Sequence, residues 1–348
     1  MTAPADSRFP VPDSRHATQD SPPRRILIVR LSALGDIVHA LPLAENAHRA
    51  GVSVGWVVER AYAGLLEPHP GISAVFPAET KKWRRAPLSV QSRTEIRRLR
   101  TALRGFSADA VVDAQGLWKS ALVARLAGAP IVSLAAGDRR ERTSSVLVDR
   151  PVTLDPGVEH VVDQNLSLLA PLGIPVAARA PDASYLLAVP REEADRFVSS
   201  LPSPFALFHP GASRPEKSWG EEEYADLARR LLDRAAIFPV ISWGPGDEVR
   251  AGRLGKLLPE AARLPALDFA GLAHVAARAA LLVGGDTGPV HLADALGTPT
   301  LALFSPSSRR NVPARNRPYR GAWLSYDQAS RIDAVVTMAM SAARCPTR

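Results

Sequence analysis

Two short stretches constrain the fold of this chain more than any other feature, because each joins a predicted strand to a predicted helix through glycine. The first is Arg30–Asp36, with the sequence RLSALGD, and the second is Gly285–His291, with the sequence GDTGPVH. A helix that starts in such a turn presents unpaired backbone N–H groups and the positive end of its dipole. This arrangement can bind a phosphate or a carboxylate. Two such turns, about 250 residues apart, predict two α/β domains that face one cleft.

Apolar runs of strand length alternate with helical patterns on both sides of a proline-rich region. Such alternation is typical of parallel sheets that are covered by helices on both faces. After the first turn, residues 37–48 are predicted to form one helix. The predicted organisation is a disordered tail over 1–24, an N-terminal Rossmann-like domain over 25–175, a linker over 176–204, a C-terminal Rossmann-like domain over 205–325, and a final helix within 326–348.

Length and composition exclude several classes of protein. No apolar run is long enough to span a bilayer, because the longest runs have about five to eight residues. Residues 1–24 lack the apolar core of a secretory signal. The single cysteine, Cys345, excludes an internal disulfide framework and a cysteine-based zinc site, and it fits a cytoplasmic protein.

The net charge of +8 is unevenly distributed along the chain. The segment from Lys81 to Arg104 contains nine lysines and arginines but only one acidic residue, Glu95. Such a patch attracts nucleic acid, an anionic membrane surface or a polyanionic substrate, although it can also be the solvated face of a helix. No RNA- or DNA-reading module is evident and only 6% of the residues are aromatic, so we expect no nucleic-acid partner.

Asp36 is the candidate general base. It lies in or beside the first turn of the helix after Gly35, where the helix dipole favours an ionised carboxylate. A carboxylate that points into a cleft can take a proton from a substrate hydroxyl. The alternative is an ordinary helix cap, for which aspartate is a preferred residue.

A second polar group follows the predicted strand that ends at Asp113. Asp113 and Gln115 can contact a sugar and Lys119 an anionic group, because ligands of open α/β sheets bind at the carboxyl ends of the strands. A capped turn between a strand and a helix explains the same residues equally well.

Two further turns in the second half carry polar residues. The long loop 209–219 contains Ser213, a hydrogen-bond donor, and Lys217, a cation for a phosphate. The turn 243–248 ends with Asp247 and Glu248, which can either hydrogen-bond ribose hydroxyls or cap the next helix.

The turn at Gly285–His291 is a predicted diphosphate site. Pro289 suits the first helical position, which leaves Thr287, Gly288 and His291 at the start of the helix. The triplet Asp-Thr-Gly also occurs in aspartic proteases, but here it occurs once and between a strand and a helix. A metal site is disfavoured because Asp286 and His291 are five residues apart and have no further ligands nearby. The chain also lacks a P-loop, an H-E-x-x-H motif and an early G-x-G-x-x-G motif.

Taken together, these segments resemble glycosyltransferase family 9, the lipopolysaccharide heptosyltransferases, over about residues 25–345. The resemblance rests on the segments ILIVRLSALGDIVHALPL, KKWRR, DAQGLWKSALVARL, HPGASRPEKSW, SWGPGDE and GGDTGPVHLADALGTPTLALFSP. The family implies a GT-B fold, in which two Rossmann-like domains face a central cleft and the last helix crosses back to the N-terminal domain.

The resemblance also implies a role for individual residues. Asp36 is the implied catalytic base, and no metal or other cofactor is implied. The implied donor-binding residues are Ser213, Lys217, Glu248, Leu267, Asp286, Thr287, Gly288 and His291. The implied acceptor-binding residues are Lys81, Lys82, Arg84, Arg85, Asp113, Gln115, Lys119 and Arg142. Two positions depart from the family pattern: Ala212–Ser213 replaces a pair of threonines, and Leu267 replaces a methionine near the adenine.

The implied reaction inverts the configuration of a heptose taken from ADP-L-glycero-β-D-manno-heptose. The implied acceptor is the inner Kdo of Kdo2-lipid A, and the segment DAQGLWKSA favours this acceptor over an already heptosylated core. The basic residues near Lys81, with Trp83 and with Arg139, Arg140 and Arg142, are expected to contact the acceptor and the anionic cytoplasmic leaflet of the inner membrane. The alternatives are a family member that acts on a later core sugar and a non-catalytic ADP-sugar sensor.

Overall fold

Two six-stranded parallel sheets form the framework of the protein. The structure is a computed structural model that describes residues 22–211, 219–304, 312–325 and 332–344. The first sheet has the order β3-β2-β1-β4-β5-β6, and its strands are Arg25–Val29 (β1), Ser53–Glu59 (β2), Ala74–Ala78 (β3), Ala110–Asp113 (β4), Ile131–Leu134 (β5) and Arg150–Val152 (β6). The second has the order β12-β11-β10-β7-β8-β9, and its strands are Phe205–His209 (β7), Phe238–Ile241 (β8), Ala262–Arg263 (β9), Leu281–Gly285 (β10), Thr300–Phe304 (β11) and Ala322–Ser325 (β12).

The central strands are buried on both faces because helices cover both sides of each sheet, as the continuous apolar runs predict. The α-helices of the first half are Leu34–Val38 (α1), Leu41–Arg49 (α2), Ala63–Leu66 (α3), Thr80–Arg85 (α4), Val90–Phe106 (α5), Trp118–Arg125 (α6) and Val161–Leu166 (α7). Helices α5 and α6 pack on one face of β1 through Leu99, Leu103, Val123 and Ala124. Helices α1 and α2 pack on the other face through Ile37, Leu41 and Leu43. The predicted Rossmann-like arrangement with two parallel sheets is confirmed.

The second half follows the same plan. Its α-helices are Glu192–Ser199 (α8), Glu221–Ala235 (α9), Glu248–Leu257 (α10), Phe269–Ala276 (α11), Gly288–Ala295 (α12), Pro313–Asn316 (α13) and Ile332–Arg344 (α14). Short 3₁₀ helices occur at Arg60–Tyr62, Arg142–Leu147, Ser167–Leu172 and Ser184–Ala188. Among the described helices, none is long and apolar enough to cross a membrane. The predicted tail over 1–24 lies almost wholly outside the described residues.

The predicted single helix after the first turn is two helices. The chain leaves the helical path between α1 and α2, at His39 and Ala40. Pro42 lies in the first turn of α2, where a proline is tolerated because that N–H has no partner within the helix. The break gives α1 its own direction, independent of the longer helix.

The prediction that the final helix crosses back to the N-terminal domain is wrong. Helix α14 packs on α9 and near β10–β12, and its residues Val335, Val336 and Ala339 belong to the core of the second sheet. Its apolar face is therefore used within its own domain. The segment 312–320 reaches the first domain instead, where His160 hydrogen-bonds to the carbonyl of Arg317.

The two domains share a continuous apolar contact. Ala270 and Ala273 of α11 and Leu292 and Ala295 of α12 belong to the same buried cluster as α1, α2 and α7. Because α11 and α12 cover one face of the second sheet, this cluster brings the glycine turn that precedes α12 against the N-terminal domain.

Candidate active site

The predicted site residues follow the carboxyl ends of strands in both sheets. In the first sheet they lie after β3, β1 and β4 and beyond β5. In the second sheet they lie after β10, β7, β8 and β9, which are neighbours in that order. This clustering at one edge of each parallel sheet is where open α/β folds bind ligands.

Asp36 is held by a buried arginine at the end of β1. Its Oδ1 lies 2.6 Å from Nη2 of Arg30, whose side chain is nearly inaccessible, whereas 45% of the Asp36 side chain is exposed. The other carboxylate oxygen accepts a weak hydrogen bond from the backbone N–H of Ala33, at 3.3 Å. Asp36 therefore contributes to the capping of α1, as the alternative interpretation proposed, and still presents an accessible carboxylate to solvent.

Gln115 fixes the backbone of the first turn. Its Oε1 accepts from the N–H of Leu31 at 2.9 Å, and its Nε2 donates to the carbonyl of Ser32 at 3.2 Å. The side-chain amide is thus engaged on both sides. This geometry gives Gln115 a positioning role, and its direct contact with the acceptor stays a prediction.

Asp113 is inaccessible and cannot contact an acceptor in this structure. Its Oδ2 lies 3.1 Å from Nη2 of Arg139, and neither side chain is exposed. Its Oδ1 accepts from the backbone N–H groups of Gln115 and Gly116. The interpretation as a capped turn is correct for Asp113, and Arg139 is removed from the predicted basic surface.

Lys119 lies beside the first turn, as predicted for an anion-binding residue. Its Nζ is 3.2 Å from Oγ of Ser32. Burial lowers the pKa of Lys119, the carboxylate of Glu59 opposes that shift, and the cations Lys81 and Arg84 lower the pKa further. Helix α4 therefore brings part of the basic segment close to Lys119.

Helix α4 divides its residues between the core and the surface. Lys81, Arg84 and Arg85 are exposed, as is Arg142 in the 3₁₀ helix after β5. Lys82 and Trp83 are both bound to Glu95 of α5, with Nζ–Oε1 at 2.6 Å and Nε1–Oε2 at 2.9 Å. Only 8% of Trp83 is exposed, so its predicted place at a membrane surface is wrong. Glu95 also offsets the charge of Lys82.

In the second glycine turn, the carboxylate of Asp286 binds a side chain of the following helix. Oδ1 of Asp286 lies 3.0 Å from Nε2 of His291, in the first turn of α12, and both side chains are largely buried. Thr287 is the extended residue before α12, and Pro289 is the second residue of this helix, one position later than predicted. The N–H groups at this helix start have no partner within the helix and carry the positive end of its dipole.

The two glycine turns contact each other across the domain boundary. A Cβ atom at Gly35 would lie 2.5 Å from Cδ2 of His291, and a Cβ at Gly288 would lie 2.5 Å from Cβ of Leu34. Both glycines are therefore required by the close approach of α1 and α12. The predicted cleft between two helix-starting turns is closed at this point, with Asp36 beside it.

Two histidines that the sequence analysis did not identify, His39 and His160, lie with His291 behind this contact. The ring of His39 is 4.3 Å from that of His291 and 5.5 Å from that of His160, measured between centroids. Burial, followed by the neighbouring His291 and His160, holds the pKa of His39 well below its usual value. Burial also lowers the pKa of His160, so His39 and His160 are neutral packing elements between the domains at neutral pH. The sequence feature that could have predicted the position of His39 is its three-residue spacing from Asp36, which places both residues on one side of a helical turn.

The other donor-side residues lie farther along the second sheet. Glu248 begins α10 and accepts from the N–H of Gly246 at 2.9 Å, so it supports its own turn while remaining exposed. Leu267 precedes α11 and is partly buried in an apolar cluster. Before the long loop, burial lowers the pKa of His209 to about 4. Ser213 and Lys217 lie outside the described residues.

Arg30 and Arg315 are the cations that the sequence analysis did not single out. Arg30 stands six residues before Asp36 at the end of a strand, a position that could have indicated its role. Arg315 lies in the basic stretch after β11, and only the path of the chain reveals its proximity to the first domain. Within the described ranges, no group of three or more histidine, cysteine or acidic side chains could hold a metal ion.

Comparison with known proteins agrees with this architecture. Residues 96–338 match the sequence profile of glycosyltransferase family 9 (heptosyltransferase). The chain is 36% identical over 290 residues to lipopolysaccharide heptosyltransferase 1 of Pseudomonas aeruginosa, covering 82% of this chain and 79% of the relative. It is 32% identical to lipopolysaccharide heptosyltransferase 1 of Escherichia coli K12, covering 81% and 88%.

Solved structures show the same similarity. E. coli heptosyltransferase WaaC with ADP has a TM-score of 0.72 and 30% identity, covering 86% of this chain and 93% of that protein. The structure of WaaC with ADP-2-deoxy-2-fluoro heptose has a TM-score of 0.73 and 28% identity, covering 92% and 100%. With its two parallel sheets and its facing glycine turns, the chain is a glycosyltransferase with a GT-B fold and belongs to family 9, the heptosyltransferases.

Proposed function

We propose that this enzyme transfers L-glycero-D-manno-heptose from ADP-L-glycero-β-D-manno-heptose to the inner Kdo of Kdo2-lipid A. The observation that carries the proposal is the contact between the two glycine turns, which places an accessible carboxylate beside the start of α12. The names of the P. aeruginosa and E. coli relatives support the reaction, and ADP and the fluorinated ADP-heptose bound to WaaC support the donor.

Asp36 acts as the general base in this proposal. The acceptor hydroxyl attacks the anomeric carbon from the face opposite ADP, Asp36 takes the hydroxyl proton, and the configuration changes from β to α. The ion pair with Arg30 fixes the direction of the carboxylate. General base catalysis supplies about 10²–10⁴-fold. A late proton transfer from an oxocarbenium-like transition state suits a weakly basic carboxylate.

The second domain binds the donor and stabilises the leaving ADP. The N–H groups at Thr287 and Gly288, with the dipole of α12, stabilise the charge that develops on the diphosphate. Asp286 fixes the ring of His291 at this position. The proposal assigns the remaining diphosphate contacts to Ser213 and Lys217. It assigns a ribose contact to Glu248 and an apolar wall at the adenine to Leu267. No step is assigned to a metal ion.

The first domain binds the anionic acceptor. Lys119 and the exposed residues Lys81 and Arg84 lie near one another at the first turn, where they suit the carboxylates of Kdo. Arg85 and Arg142 extend this cationic surface, whereas Lys82 is shared with Glu95. Domain closure excludes water from the donor and limits its hydrolysis.

The same domain also presents a surface suited to the anionic cytoplasmic leaflet of the inner membrane. Leu88, between α4 and α5, and Val90, the first residue of α5, are 76% and 81% exposed. Exposed arginines recur along α5 at helical spacing, at positions 93, 97, 100 and 104. Protruding apolar residues among cations are typical of peripheral membrane binding. The proposal is therefore an enzyme that meets its lipid acceptor at the membrane surface.

Acceptor preference tests the proposed reaction. Purified enzyme is incubated with ADP-heptose and either Kdo2-lipid A or an already heptosylated core, in parallel reactions with and without EDTA. We expect efficient transfer to Kdo2-lipid A alone. Transfer only to the heptosylated core would indicate a family member that acts on a later core sugar. Donor binding without transfer to either acceptor would favour a sensor, and loss of activity in EDTA would contradict a metal-independent reaction.

Charge reversal tests the membrane surface separately. The variant K81E/R84E/R85E should lose binding to vesicles that contain phosphatidylglycerol and should raise the KM for Kdo2-lipid A. The matched control reverses three exposed cations of the C-terminal domain, as R196E/K256E/R263E. Unchanged vesicle binding and unchanged acceptor KM in the first variant would exclude this role for α4.

A further inference from the structure

One segment of the C-terminal domain is anchored on the N-terminal domain by several hydrogen bonds. Nδ1 of His160 accepts from the N–H of Val162, so its Nε2 carries the proton and donates to the carbonyl of Arg317 at 2.9 Å. Nε of Arg315 donates to Oε1 of Gln164 at 3.1 Å. These contacts hold α13, and with it Arg315, against α7.

Arg315 is partly buried among groups of the same charge. Burial lowers its pKa, and the neighbouring cation Arg30 lowers it further, while Asp36 acts in the opposite direction. Asp36 is itself already paired with Arg30 at 2.6 Å. Over the ranges that the structure describes, no carboxylate lies within 4 Å of the Arg315 guanidinium, which donates only through Nε to a neutral amide.

Two other cations near the first turn also lack an acidic partner within ion-pair distance, again among the described residues. Nζ of Lys119 is hydrogen-bonded to Oγ of Ser32, which is uncharged. Arg140, which acts on Arg315, is exposed. Positive charge from both domains therefore surrounds Asp36 in excess of the acidic groups present. A partly desolvated cation without a counter-ion is unfavourable, and a bound anion would relieve this cost.

We propose that Arg315 binds the anionic group of a substrate at the domain junction, and that the group is a carboxylate or phosphate of the acceptor. The guanidinium has its Nη atoms available for a bidentate contact, because the contact with Gln164 uses Nε. Since Arg315 belongs to the C-terminal domain and the other cations proposed for the acceptor belong to the N-terminal domain, an acceptor molecule held by both domains would link acceptor binding to domain closure. The inference rests on the proposed anionic glycolipid acceptor.

The test compares R315Q and R315K with wild type and with R317Q. Arg317 is a matched control because it lies two residues away and contributes only its backbone carbonyl to the anchoring contact with His160. Initial rates are measured with Kdo2-lipid A varied at saturating ADP-heptose, and ADP affinity is measured by calorimetry. We expect R315Q to raise the acceptor KM at least about tenfold with kcat little changed, because the lost interaction binds ground and transition states alike.

R315K should retain part of the affinity, because it keeps the charge but loses the bidentate geometry. R317Q should behave as wild type. The acceptor KM of wild type should also rise with salt more steeply than that of R315Q, a dependence that a purely structural role would not produce. Weakened ADP binding with an unchanged acceptor KM would assign the anion to the donor diphosphate and contradict the acceptor assignment.

An unchanged acceptor KM together with unchanged ADP affinity in R315Q would overturn the inference while leaving the proposed function intact. A lower melting temperature and a lower kcat without a change in KM would indicate that Arg315 only supports the fold. Absence of transfer to Kdo2-lipid A by the wild type would refute the proposed function itself. The two failures are therefore distinguishable in one set of measurements.

Discussion

The carboxylates of the two glycine turns have different surroundings. Asp36 is 45% exposed and is paired with Arg30 from the preceding strand, whereas Asp286 is 14% exposed and is paired with His291 from the following helix. In the first turn the partner lies behind the carboxylate and leaves it accessible to a substrate hydroxyl. In the second turn the carboxylate orients an imidazole, and the backbone N–H groups are what remains for a ligand. One local motif can therefore supply either a base or an anion site, depending on its partner.

Substitution of Arg30 tests most directly whether its ion pair orients the Asp36 carboxylate. R30M removes a charged hydrogen bond worth about 1.5–3 kcal/mol, so kcat should fall about 10–100-fold because Asp36 is no longer oriented. Steady-state kinetics with both substrates saturating measures this loss. R30K keeps the charge and should lose less, and ADP affinity should be unchanged in both variants. Equal kcat values in R30M and wild type would contradict the orienting role.

The contact between the turns can be broken from either side. G35A places a methyl group against the His291 ring, and G288A places one against Leu34, each at 2.5 Å. Overpacking of this kind costs about 1–3 kcal/mol, and here it separates the two half-sites, so kcat should fall about 5–100-fold. G105A in α5 is the control, because no atom lies within 4 Å of its added Cβ. Adding L34A should restore activity to G288A but not to G35A.

The smallest expected effect concerns the neutral histidine behind the turns. The folded-state pKa of His39 is below that of the unfolded chain, near 6.5, so the unfolded state binds the extra proton first. Stability should therefore fall as the pH drops below about 6.5 and be independent of this group above it. At pH 5.5 the contribution is at most about 1.4 kcal/mol.

Thermal unfolding of wild type and H39Q at pH 7.5 and 5.5 measures this effect. The stability difference between the two proteins should shrink at pH 5.5, and the comparison cancels the contribution of the other buried histidines. A difference that is the same at both pH values would show that His39 does not titrate between the folded and unfolded states in this range.

Local sequence was sufficient to predict the framework and the two turns. Continuous apolar runs predicted the central strands, and glycine with a following helical pattern predicted where α1 and α12 begin, because these features depend on neighbours within a few residues. The edge strands β6, β9 and β12 and the helix α11 were not predicted. The edge strands are only two to four residues long and carry a weak apolar pattern.

The errors within the site have a different physical origin, because each depends on a partner distant in sequence. Asp113 is buried because Arg139 returns to it from beyond β5. Trp83 is buried because it belongs to the apolar cluster that contains Leu99 and Leu103 of the next helix, where Glu95 accepts its N–H. Arg315 reaches the first domain because the segment 312–320 crosses to that domain, and no local sequence pattern predicts this crossing. Side-chain type predicted which residues could act, whereas the tertiary path determined which of them are accessible.

The most direct test of the central claim, that Asp36 is the base and the second turn binds the donor, is the transfer rate and ADP affinity of D36N. The account predicts that transfer to Kdo2-lipid A falls about 10²–10⁴-fold while ADP affinity and melting temperature remain those of wild type. Asparagine keeps the shape of the side chain but cannot accept the proton. A D36N enzyme that transfers heptose within about twofold of the wild-type rate would contradict the account.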